Sequence, residues 1–207
     1  MLKFFYAPNT CALASHIALK HAGAAYEPVR LSFANNQQRS AEYLGVNPKG
    51  RVPALVTDKG ILTETPAILA WIAQSYPEAG LAPLGDPWGF AQVQSFNAYL
   101  CATVHVAHAH RMRGYRWASE ESSFADMRRK VPESVGECFR LIEREMLKGP
   151  WVMGETFTIC DPYLFTLAQW LELDGVSPGD VPRVADHRRR MSELPAVRAA
   201  IAIETGQ

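Results

Sequence analysis

The chain has 207 residues, with 21 Lys and Arg balanced by 21 Asp and Glu. A formal net charge of zero excludes the basic footprint that a nucleic-acid surface needs. Hydrophobic residues make up 48% and charged residues 20%, which suits one large domain or two small ones sharing an interface. No apolar run approaches the roughly 18 residues of a membrane helix, and MLKFFYAPNT lacks a signal-peptide core, so the expected location is the cytoplasm. Cys11, Cys101, Cys138 and Cys160 are scattered and form no CxxC pair. That pattern suits reduced thiols rather than a disulfide framework or a zinc site.

The first part alternates strand and helix. LKFFYA reads as a strand and CALASHIALKHA as a helix, with Asn9 and Thr10 as cap types and Gly23 as its stop. AAYEPVRL reads as a second strand, at an edge or irregular at its start because of Pro28. FANNQQRSAEYLGV is polar, with one helical turn at SAEYL. RVPALVTD and GILTE form a hairpin across Asp58, Lys59 and Gly60. TPAILAWIAQSYP reads as a helix with Thr65 as cap, Pro66 at the first helical position, and Ile68, Trp71 and Ile72 on a buried side.

EAGLAPLGDP is Gly/Pro-rich and reads as a linker, and beyond it only helices are expected. One runs from about 87 to 113, a second covers about 120 to 148 with a break or kink near Pro132, and a third begins at TFTICDPYLF. In that third helix Thr158 and Asp161 have capping-box spacing. Two shorter helices fit PRVADHRRRMSE and LPAVRAAIAIE. The run His187-Arg188-Arg189-Arg190 reads as a solvated helix face, and His16 and His110 as surface or packing residues.

Three stretches carry the chemistry. Cys11 falls in the first turn of the first helix, where unpaired backbone N–H groups favour a thiolate. A small apolar residue filling a strand–helix joint fits the position equally well, so Cys11 alone leaves both readings open. In NPKGRVPALV, a cis bond at Val52-Pro53 turns the Val52 N–H and C=O sideways, where they can pair with an extended peptide; an ordinary edge-strand proline is the alternative. In LTETPAIL, Glu64 can hold an ammonium, and the Thr65 hydroxyl and N–H a carboxylate. The alternative there is a plain helix cap with Glu favoured by the dipole.

Taken together, YAPNTCALASHIALKHAG, NPKGRVPAL, LTETPAIL and FTICDPYLF, in this order and spacing, resemble the glutathione transferases over essentially the whole chain. Cys11 with His105 in the long helix is most similar to the bacterial beta class. The resemblance implies an α/β plus all-α fold: a thioredoxin-like domain over 1–78, a linker over 79–86 and an all-helical domain over 87–207. It implies a homodimer that uses glutathione as co-substrate and conjugates its thiolate to small apolar electrophiles in detoxification, without a resident metal. It assigns Cys11 and His105 to the glutathione sulfur, with Tyr6 as a weaker donor. It assigns Val52 and a cis Pro53 to the cysteinyl backbone, Glu64 and Thr65 to the γ-glutamyl head, and Thr158 and Asp161 to a structural capping box.

The chain departs from the beta pattern where relatives carry polar groups. Ala98 replaces an Asn, Thr103 and Val106 replace charged neighbours of the helix His, and Asn36 replaces a Lys that meets the glycyl carboxylate. Arg51 or Lys49 is placed to compensate. Tyr99, Tyr115 and Trp117 suggest flat, apolar second substrates. Cys101, His105 and His108 share a helix face, but along a straight helix they span about 10 Å, too far for one ion. Two other activities stay open: glutathione-dependent thiol–disulfide exchange through Cys11, and non-catalytic ligandin-type binding.

Overall fold

The computed structural model describes residues 1–206. By packing, they fall into two units: residues 1–91 with 192–206, and residues 92–191. In the first unit a four-stranded sheet runs in the order β2-β1-β3-β4. Strand β1 (Leu2–Tyr6) buries Phe4 and Tyr6 on one face. It pairs in parallel with β2 (Tyr26–Arg30), with Phe4 opposite Pro28, and antiparallel with β3 (Ala54–Thr57), with Phe4 opposite Leu55. Strand β2 is an edge, so Pro28 can lack an N–H at no cost to a second neighbour. Strand β3 turns through Asp58 and Lys59 into β4 (Gly60–Thr63).

A parallel pair needs a crossover, and helix α1 (Ala12–His21) supplies it. Every residue from Ala12 to Leu19 is buried, and the helix ends at Gly23, whose φ of 63° only glycine adopts freely. Helix α2 (Ala41–Val46) covers the other face of the sheet, with the Tyr43 ring 5.5 Å from Phe5. Helix α3 (Thr65–Ser75) buries Ile68, Leu69, Ile72 and Ala73. Trp71, expected on the buried side, is only half-buried.

The second unit is helical. Helices α4 (Pro87–Tyr99) and α5 (His105–Arg113) are joined by a π-helical turn over Leu100–Val104, which the regular periodicity of residues 87–113 conceals. Helix α6 (Glu121–Leu141) continues through Pro132 and ends in a second π turn, Ile142–Met146. A Cβ at Gly175 would stand 3.0 Å from Pro132 Cγ, so glycine lets that segment lie on the ring. Helix α7 (Cys160–Ala168) is capped reciprocally: the Thr158 N–H donates to Asp161 Oδ2 at 2.7 Å, and the Cys160 N–H donates to Thr158 Oγ1 at 3.3 Å.

By packing, the last helix joins the N-terminal unit. Helix α8 (Pro182–Glu193) ends at the change of unit, and α9 (Pro195–Thr205) packs against α1. Two further readings are corrected. His187 is fully buried, with its Nε2 3.0 Å from Asp161 Oδ1, so the solvated face consists of its arginine neighbours, which pair with Glu172 and Asp186. His16 is no surface residue either. It lies under Phe4, Tyr6 and Tyr26, with its Nδ1 2.9 Å from Glu204 Oε1 on α9.

Burial raises the Glu204 carboxyl above its ordinary value, against the pull of His16. The folded chain therefore holds that proton more tightly than the unfolded chain, and stability falls as pH climbs from the ordinary carboxyl range through the raised value. Urea unfolding across that window should show the fall in the wild type and a flatter profile in Glu204→Gln. Glu204→Ala leaves His16 buried without its partner and should lose about 1–3 kcal/mol.

Candidate active site

The first unit gathers most of the singled-out residues around the starts of two helices. Cys11 stands at the start of α1, where Thr10 Oγ1 accepts from the Ala12 N–H at 3.3 Å. Its thiol donates to the Val52 carbonyl oxygen at 3.6 Å. The Val52–Pro53 peptide bond is cis, and Val52 is 8% exposed. Tyr43 Oη and Asn47 Nδ2 both donate to the Arg51 carbonyl oxygen at 2.6 Å, fixing the chain just before Val52. Burial pushes the Tyr43 hydroxyl up to about 12, with Asn47 pulling the other way, so it stays a donor. Sequence reasoning passed over Tyr43 and Asn47. The available signal was Asn47 opening the NPKG turn beside Val-Pro.

Glu64 caps α3 with φ 73° and ψ 122°, a conformation that non-glycine residues avoid at about 1–3 kcal/mol. Thr65, expected as the cap, is instead the first helical residue and is buried. The Glu64 carboxylate is half-exposed and pairs with Lys49 Nζ, which also donates to Thr63 Oγ1 at 2.6 Å. An exposed pair of this kind contributes at most about 1 kcal/mol, so an incoming ammonium can take the place of Lys49.

The remaining residues are less concentrated. Asn36 is exposed in a left-handed turn conformation, and the Arg51 side chain is exposed. Tyr6 is 3% exposed, and its hydroxyl donates to the Ile203 carbonyl oxygen of α9 at 3.3 Å. Short-range pattern gave no hint of this bond, because its partners lie 197 positions apart. In the second unit, His105 opens α5, with its ring 5.3 Å from Trp170. There Ala98 and Thr103 are exposed and Val106 is half-buried. Tyr115 and Trp117 are exposed, whereas Tyr99 is half-buried and hydrogen-bonds Cys138.

The thiols differ in reactivity. Burial raises Cys138 and Cys160, keeping both protonated, while Cys11 and Cys101 are partly exposed. Among the described residues, no group of three or more His, Cys, Asp or Glu side chains is placed to hold a metal ion. None of the described helices is long and apolar enough to cross a membrane.

Residues 1–74 match the family model for the glutathione S-transferase N-terminal domain. The solved structure of a glutathione transferase homologue from Sulfitobacter, with bound glutathione, is 44% identical. The match covers 100% of this chain and 98% of that one, with a TM-score of 0.94. The chain belongs to the glutathione S-transferase family. The bacterial beta class transferase of Sphingomonas chungbukensis is 31% identical, with 98% of each chain covered and a TM-score of 0.85. Glutathione S-transferase GstA of Escherichia coli O157:H7 is 29% identical over 206 residues, covering 98% of each. The expected thioredoxin-like sheet and helical region are the fold of this transferase.

Because the Tyr6 hydroxyl is spent on Ile203, Tyr6→Phe should leave transferase turnover within twofold of wild type. It should lower stability by about 1 kcal/mol, read from chemical unfolding.

Proposed function

We propose that the protein activates the thiol of glutathione and conjugates it to small, largely apolar electrophiles. The observation that carries this reading is the Cys11–Val52 contact. It joins a thiol at a helix start to the backbone segment that offers an N–H and a C=O to a peptide. Glutathione is a peptide with a charged head. Glu64 receives its α-ammonium in exchange for Lys49, and the Thr65 hydroxyl with the α3 start receives its α-carboxylate. Val52 pairs with the cysteinyl backbone as an added strand does. Arg51, with Asn36, meets the glycyl end as the cationic or polar group of that subsite.

A free thiol has a pKa of about 8.5, so little of it is thiolate at neutral pH. A hydrogen bond from Cys11, with the α1 start behind it, favours the anion. A shift of two pKa units corresponds to about 2.7 kcal/mol. The thiolate lone pair then forms a bond to an electrophilic carbon, and the leaving group departs with its electron pair. The protein works as a homodimer in the cytoplasm and serves detoxification in this reading.

A second reading has support of its own. Cys11 is partly exposed at a helix start, while Cys138 and Cys160 are buried. Such a thiol is placed to exchange with glutathione disulfide, forming a Cys11–glutathione mixed disulfide and releasing one glutathione thiolate.

Calorimetric titration of reduced glutathione tests the assignment of its head group. Thr65→Val and Glu64→Ala should each weaken binding by about tenfold while the fold is retained. Unchanged affinity in both variants, or no binding to the wild type at millimolar glutathione, would overturn it. Mass spectrometry after incubation with glutathione disulfide decides between the two chemistries. An adduct on Cys11 that turns over favours exchange.

A further inference from the structure

The helical unit contains a polar cluster that the transferase reading does not use. Asp174 is 3% exposed and ends the short 3-10 helix Glu172–Asp174. Its Oδ2 stands 2.7 Å from His108 Nδ1, and its Oδ1 3.0 Å from Arg111 Nε. His108 and Arg111 are three residues apart on α5, so they share a helix face. One face of the His108 ring is covered by Trp170, with centroids 4.2 Å apart and planes 22° from parallel. The buried carboxylate thus hydrogen-bonds His108 and forms an ion pair with Arg111 Nε that lacks hydrogen-bond geometry. Each side chain keeps its outer atoms, His108 Nε2 and the Arg111 Nη groups, and these have no hydrogen-bond partner among the described residues. The two side chains remain 17% and 29% exposed.

We propose that His108 and Arg111 form a binding site for the carboxylate of a small organic acid. Three features support a carboxylate. The Arg fork suits a planar group with two oxygens. Asp174 already neutralises one positive charge, so the cluster offers at most one net positive charge, which matches a singly charged anion better than phosphate. Contact with Asp174 through Nδ1 leaves His108 Nε2 facing outward, and Nε2 donates to the incoming carboxylate when the ring carries its second proton. The residue pair His108 and Asp174 lies 66 positions apart in sequence, which is why no local motif shows it.

The test uses the full-length protein without glutathione. Benzoate is titrated while the His108 ring resonance, assigned with His108→Gln, is followed by NMR. The expected result is a saturable shift with benzoate, none with benzamide, and weaker binding of inorganic phosphate. Arg111→Met should weaken benzoate at least tenfold; Arg111→Lys, which keeps the charge but not the fork, should weaken it less and serves alone if the Met variant does not fold. Tighter phosphate than benzoate, no saturable shift, or full benzoate affinity in the folded Arg111 variants would overturn the proposal and leave the cluster a structural clamp.

Discussion

The burial of α1 is the constraint on which the thioredoxin-like unit depends. From Ala12 to Leu19 every residue is buried, so the helix can neither rotate nor slide without opening the core. Its small residues, Ala12, Ala14 and Ala18, let it lie close to its neighbours, and Ile17 and Leu19 fill the space between them. A helix held this firmly presents its N-terminus at a fixed point. Cys11 therefore meets the Val52 carbonyl without needing a mobile loop to place it. The same rigidity explains why the site is assembled from turns and helix starts. These are the places where backbone donors stay available after the sheet and helices have used the rest.

One polar pair is buried with α1, and it joins the two ends of the chain. His16 and Glu204 are 188 positions apart, and the His16 ring lies among Phe4, Tyr6 and Tyr26. A buried pair of this kind adds little net stability relative to an apolar replacement, but losing one partner is costly. Its consequence is positional: α9 has one register against α1 in which both partners are met. The last helix thereby becomes part of the N-terminal packing unit, although it follows the helical region in sequence.

Local structure was legible in the sequence wherever short-range chemistry determines it. Alternation in LKFFY, the Asp58–Lys59 turn, Pro66 near the α3 start, Gly23 past the α1 end and the Thr158–Asp161 box each act within a few residues. The family motifs added Cys11, Val52, Glu64 and Thr65; Cys11 stands at the α1 start and meets Val52, and Glu64 and Thr65 stand at the α3 start. What remained hidden depends on distant partners. His187 looks solvated beside three arginines until Asp161 claims it, and the hydrogen bond from the Tyr6 hydroxyl to the Ile203 carbonyl oxygen has no local signal. The π turns escape notice because one wide turn barely disturbs an apolar stripe. Glu64 shows the converse: a strained backbone is invisible in composition, yet it marks the residue assigned to the glutathione head.

The central claim is that Cys11 stands at the start of α1 to hold a sulfur anion. Its most direct measurement is the ultraviolet thiolate absorbance of bound glutathione as a function of pH, in the wild type and in Cys11→Ala. The account predicts a bound thiol that ionises well below free glutathione in the wild type, and a shift toward the free value in the variant. An unshifted thiol in the wild type, or an equal shift in both proteins, would contradict it.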